Sequence, residues 1–175
     1  MKKATTWSEI LMILVLTAFS FSASYADDLS IWNGKWFKLT EKISALEANE
    51  SGSISPLNYS QTIYIHIYEV DETNKVLRCE NYDFRDGGLE FYSDIDLQVL
   101  AGSSFDFLWW AQGGPEMKGA IAGRIQGKTK NGPLTSATLK TVGGSVAGTM
   151  DGAPAVAGIN WNGSIVPESK VPPVK

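Results

Sequence analysis

Residues Gln61 to Asp71 read QTIYIHIYEVD. Ile63, Ile65 and Ile67 fall on one side of an extended chain, and Tyr64, His66 and Tyr68 fall on the other. That is a period of two, the period of a strand. Both sides carry β-branched or aromatic residues, which fit a pleated, half-buried surface better than a helix. The stretch predicts a strand, and only one of its two faces can turn inward. Inward isoleucines would make a dry core. An inward Tyr64/His66/Tyr68 face would make an amphipathic pocket with hydroxyls to orient a guest. The isoleucines are the expected inward set.

The same pattern continues outward along the chain. Glu72-Thr73-Asn74 signals a turn, Lys75 to Tyr82 returns, and Arg85-Asp86-Gly87-Gly88 signals a second turn. Leu89 to Leu100 alternates, with Leu89, Phe91, Ile95, Leu97 and Val99 opposite Glu90, Asp94, Asp96 and Gln98. Further strands are predicted at Phe105 to Gln112, Met117 to Thr129, Leu134 to Val142, Ser145 to Met150 and Val156 to Val166. Trp32 to Thr40 opens the series, giving about nine segments separated by Gly, Pro and Asn turn signals. No long helical pattern interrupts them. The expected fold is all-β, a single antiparallel up-and-down β-barrel of about eight strands, because closing a meander removes its exposed edges. A β-sandwich is the alternative. Glu41 to Ser60 breaks the rhythm. It is polar and small, marked by Gly52 and Pro56, and reads as a long loop whose start has helical character.

The ends have their own signatures. Lys2 and Lys3 precede an apolar run from Ile10 to Phe21, and Ser24-Tyr25-Ala26 has small residues at both key positions of a cleavage site. Residues 1–26 therefore read as a signal peptide, with an N-terminal membrane anchor as the alternative, and the expected location is the bacterial periplasm or the exterior. Residues 27–166 form the predicted barrel domain. Pro167, Pro172 and Pro173 make 167–175 a Pro-rich tail that is expected to be loose.

Composition excludes several classes. The chain has a net charge of −4 and no basic patch, which argues against nucleic acid. No segment after residue 26 is long and apolar enough for a membrane-spanning helix. Cys79 is the single cysteine, so no intramolecular disulfide can form and stability must come from a core. One His and one Cys do not make a usual zinc site, and no other metal or cofactor is expected.

Gly34-Lys35-Trp36-Phe37, on the opening strand, resembles the Gly-x-Trp signature of lipocalins and the wider calycin group, which includes avidin-like barrels. The second lipocalin signature, Thr-Asp-Tyr, is absent, so the likeness is to the wider group. It implies a barrel in which Trp36 closes one end, Gly34 permits close packing, and the long connection after the first strand forms a lid. Trp32-Asn33-Gly34 returns near the other terminus as Trp161-Asn162-Gly163. First and last strands are neighbours in such a barrel, so Trp32 and Trp161 are expected near the seam, with two unrelated aromatic turns as the bland alternative.

The chemistry-bearing residues are sparse. His66 has no nucleophile motif to serve, so no catalytic residue is assigned and the reading leans away from an enzyme. Glu90, Asp94, Asp96 and Asp106 read as a solvated acidic face rather than a calcium site. Phe105 to Trp110 is the most aromatic stretch. The candidate ligand-lining residues are Tyr64, His66, Tyr68, Trp109 and Trp110. The expected function is a binding module holding a small apolar molecule inside the barrel. The alternatives are a solidly packed barrel with a structural or interaction role and, behind that, an enzyme at the barrel mouth.

Overall fold

A computed structural model describes residues 29–48, 53–100, 104–112, 118–130, 133–150 and 153–175. The predicted signal peptide, with its cleavage site, lies outside the described residues. Eight antiparallel strands run up and down in chain order and close on themselves, β8 returning to β1. They are β1 (Lys35–Ala48), β2 (Ile54–Asp71), β3 (Val76–Arg85), β4 (Gly88–Val99), β5 (Ser104–Gln112), β6 (Lys118–Thr129), β7 (Leu134–Met150) and β8 (Ala153–Val166). A 3-10 turn at Leu29–Trp32 precedes β1 and another at Glu168–Lys170 follows β8. The expected all-β ring is present. Among the described residues no helix is long and apolar enough to cross a membrane.

Ile63, Ile65 and Ile67 are fully buried inside the ring. They pack with Phe37, Leu39, Leu77, Cys79, Leu97, Phe107 and Leu139 in one core. Burying each such aliphatic side chain contributes about 1.5–3 kcal/mol. One end of the ring is closed by the first 3-10 turn. Its Leu29 and Trp32 join the core, and the turn is tied down where Gly34 N–H donates to Ile67 O at 2.7 Å. Gly34 sits at φ +69°, a conformation that a side chain disfavours.

Three expectations are corrected. Glu41 to Ser60 is not a lid loop: β1 continues to Ala48 and β2 begins at Ile54, paired in register from Glu41↔Gln61 to Ala48↔Ile54. Its β1 half alternates as a strand does and its β2 half is exposed on both faces, which a composition reading cannot separate from a loop. Leu134 to Val142 and Ser145 to Met150 form one strand, because Gly143 and Gly144 pair with β6 beside a bulge at Val142 and make no turn. Trp36 does not close the barrel end. The reversal at Gly34 sends Trp32 inward, completely buried, and leaves Trp36 half-buried on the outer face.

The tail, expected to be loose, runs across that outer face. Val171 packs with Trp36 and Val166 against Tyr64, Tyr82 and Leu89. The end of the tail then pairs with β4. Leu89 N–H donates to Pro173 O at 2.9 Å, and Lys175 N–H donates to Leu89 O at 3.0 Å.

The WNG repeat has an unequal outcome. β1 and β8 do meet at the seam, from Trp36↔Val166 to Glu47↔Ala155. Gly163 faces Leu39 there, and a Cβ would lie 2.1 Å from Lys38 O, so the close backbone approach holds at this end. Gly34 instead serves a turn. Trp161 lies opposite Glu41 across the seam.

Candidate functional site

The wall of the ring is uneven. β1 and β2 extend together to Ala48 and Ile54, whereas β3 stops at Arg85, its last rung to β2 being Ile63↔Asp83. The β3–β4 hairpin is therefore a low stretch of wall. β4 and β5 share only the rungs Gln98↔Leu108 and Val99↔Phe107 among the described residues. Among the described residues these leave the ring open above β3–β4 and between β4 and β5. Tyr59 and Leu57 share rungs with Ile43 and Ala45 on the inner face of β1, yet they are 45% and 41% exposed. The inner face of the long β1–β2 hairpin is accessible at this end.

Just below the opening the apolar core gives way to a polar tier. Its members are Glu41, Gln61, Asn81, Asp83 and Thr141, supplied by β1, β2, β3 and β7 and alternating in register with core residues. Glu41 is 7% exposed and Asp83 5%. Buried carboxyl groups require partners. Gln61 Nε2 donates to Glu41 Oε2 at 2.6 Å and to Asp83 Oδ1 at 3.3 Å. Trp161 Nε1 donates to Glu41 Oε1 at 2.8 Å. Arg85 Nη2 donates to Asp83 Oδ2 at 2.8 Å from the rim. Thr141 Oγ1 accepts from Trp161 N–H at 3.0 Å, fixing the strand that carries the indole.

Aromatic rings flank this tier. Trp109 stacks on Trp161, with ring centroids 4.8 Å apart and planes 20° from parallel. Burial raises the Tyr59 phenol above its usual range, and Glu41, Tyr92 and Asp83 push it the same way, against a smaller opposing effect of Arg85. Tyr59 is thus within electrostatic reach of both carboxyl groups. Asn81 Oδ1 is buried and accepts no hydrogen bond. Among the described residues no three His, Cys, Asp or Glu side chains converge in a way that could hold a metal ion.

Of the sequence-predicted lining residues whose side chains are described, only Trp109 belongs here. Tyr64 and His66 lie on the outer face. Trp36 stacks on His66 with centroids 4.2 Å apart, His66 Nδ1 lies 3.0 Å from Glu80 Oε2, and Tyr82 Oη donates to that same oxygen at 2.9 Å. Tyr68 falls at the β2 bulge and is exposed. The side chain of Trp110 lies outside the described residues. Asp94 and Asp96 are exposed on the outer face, and Asp106 pairs with Arg124 at 2.6 Å. Sequence reasoning missed Glu41, Gln61, Asn81 and Asp83. The available signal was a polar residue at an inward position of each of three strands. It becomes visible only once the register is known.

No family model matches the chain, and neither does any curated protein. Among solved structures, the chain is similar to the ywiB protein from Bacillus subtilis at 11% identity, over 74% of this chain and 95% of that one, with a TM-score of 0.27. A likeness at that score carries no argument.

Proposed function

We propose that this protein is a small-molecule binding module of calycin-like build, taking its ligand through the opening above β3–β4. The observation that carries the reading is the acceptor-rich tier, buried beneath an opening whose inward residues Tyr59 and Leu57 remain exposed. Apolar walls with a few convergent polar groups are the usual make-up of a small-molecule site. Trp109 and Trp161 supply apolar area, and the tier supplies orientation. The occupant is amphipathic rather than purely apolar, since a wholly apolar guest would leave the tier unmatched. The likeness to calycins rests on the Gly34-Lys35-Trp36 stretch and the ring, with Trp32 in the end-closing place expected of Trp36. The pattern of residues 1–26 supports export to the periplasm or beyond.

A second reading, a packed interaction barrel, draws support from the filled half around Phe37, Ile65 and Phe107 and from exposed Phe84 and Phe91 on the outer face. Native mass spectrometry of the full chain, with titration by the uncharged dye Nile red, separates the two. The binding reading expects a co-purified small molecule or saturable dye binding that is lost in Ala45→Trp, which fills an inward position. A folded protein that carries and binds nothing returns the assignment to the packed barrel.

A further inference from the structure

We propose, resting on the binding reading above, that the ligand is an organic cation: a protonated amine carried on an apolar body. Two carboxyl groups, Glu41 and Asp83, face the interior against the single guanidinium of Arg85, which already donates to Asp83 from an exposed position. An anion entering here would meet both carboxyl groups. The donors of Gln61 and Trp161 are committed. Both N–H bonds of the Gln61 amide point to carboxyl oxygens, and the Trp161 indole N–H is held by Glu41. The acceptors are not exhausted, because a carboxylate oxygen takes more than one hydrogen bond.

Independent of the carboxyl pair, Asn81 presents an acceptor with no donor. Its side chain is 4% exposed, its Oδ1 is unpartnered, and it lies on the inward face of β3 two residues before Asp83. Buried polar atoms of this kind are nearly always paired, so the orphan calls for a donor from outside the chain. An ammonium group has three donors and no acceptor, the complement of what the tier leaves open. Tyr59 and the partly exposed Trp109, which is backed by the buried Trp161, add aromatic faces, which attract cations through the ring quadrupole. The same rings accommodate the apolar body.

The test is calorimetric titration of the full chain with three probes that share one apolar body: 1-naphthylmethylammonium, 1-naphthalenemethanol and 1-naphthoate. The ammonium is expected to bind at least about tenfold more tightly than the alcohol, with the naphthoate weakest, since charge-assisted hydrogen bonds are roughly twice as strong as neutral ones. Glu41→Gln should bring the ammonium-to-alcohol affinity ratio from at least about tenfold to below about threefold, whatever its effect on the affinity common to all three probes. If Glu41→Gln does not fold, Asn81→Leu deletes the orphan acceptor and should weaken the ammonium, with its three donors, at least about threefold more than the alcohol, with its one. Equal binding of ammonium and alcohol, or tighter binding of naphthoate, overturns the cation inference and leaves the binding module standing. No binding of any of the three overturns both.

Discussion

The Trp161 indole donates its Nε1–H to a carboxyl oxygen of Glu41 at 2.8 Å, joining the last strand to the first across 120 positions of sequence. Neither residue is accessible enough for water to replace the other. The bond lies at the ring seam and in the polar tier at once, so stability and the site share it.

Breaking this contact on one side should be costly. Trp161→Phe leaves Glu41 Oε1 buried without its donor, a loss of about 1–3 kcal/mol in unfolding free energy. Combining it with Glu41→Leu removes both partners. Urea denaturation of the two single variants and the double variant should give a coupling energy of about 0.5–3 kcal/mol. Strict additivity would show that the bond contributes nothing.

Trp32 and Trp36 should differ sharply. Trp32 is fully buried at the closed end, stacked near Phe37 with centroids 6.3 Å apart. Trp32→Ala should cost about 3–5 kcal/mol, the usual cost of emptying a large aromatic site. Trp36→Ala removes an outer-face stack on His66 and should cost clearly less. Thermal denaturation of both variants ranks them, and the opposite order would contradict the placement of the two indoles.

The tail should behave as a structural strap. Its hydrogen bonds engage the backbone of Leu89, a residue with no exposed surface. A chain shortened to Ser169 loses both bonds and uncovers Leu89, Tyr64 and Tyr82. We expect a loss of about 1–3 kcal/mol for the apolar area returned to water. Amide exchange at Leu89 should quicken, while exchange at Ile65, deep in the ring, should change only by the global loss. Unchanged exchange at Leu89 would show that the tail does not dock.

Tyr82 gives a pH signature. Burial, with its hydrogen bond to Glu80 second, pushes its phenol from 10.0 up to about 12. In the unfolded chain the phenol ionises near its ordinary value, so between these values the native state holds a proton that the unfolded state has lost. Stability from this group is therefore complete below about pH 10 and falls as pH rises toward 12. Absorbance titration at 295 nm should show a tyrosine ionising near pH 12 that is missing in Tyr82→Phe. An unshifted titration common to both proteins would refute the buried setting.

The strands were legible because their cue is local. QTIYIHIYEVD announces a period of two whatever surrounds it, and Arg85-Asp86-Gly87-Gly88 announces a turn at φ values only a few residues adopt, seen at Asp86 (48°) and Gly87 (77°). The β1–β2 hairpin was not legible. Residues 54–60 are exposed on both faces, so no hydrophobic alternation marks them, and only pairing with β1 makes them a strand.

Sequence by itself determined the all-β class and the antiparallel meander, because side-chain alternation and turn chemistry act within a few residues. Tertiary structure alone decided which face of each strand turned inward. Alternation fixes two faces but leaves their direction to the closure of the ring. That closure put the isoleucines inside and Tyr64 and His66 outside. It also gathered Glu41, Gln61, Asn81 and Asp83 from three strands, residues that read separately as ordinary surface polarity. Their proximity comes from cross-strand register, a long-range quantity that no local stretch encodes.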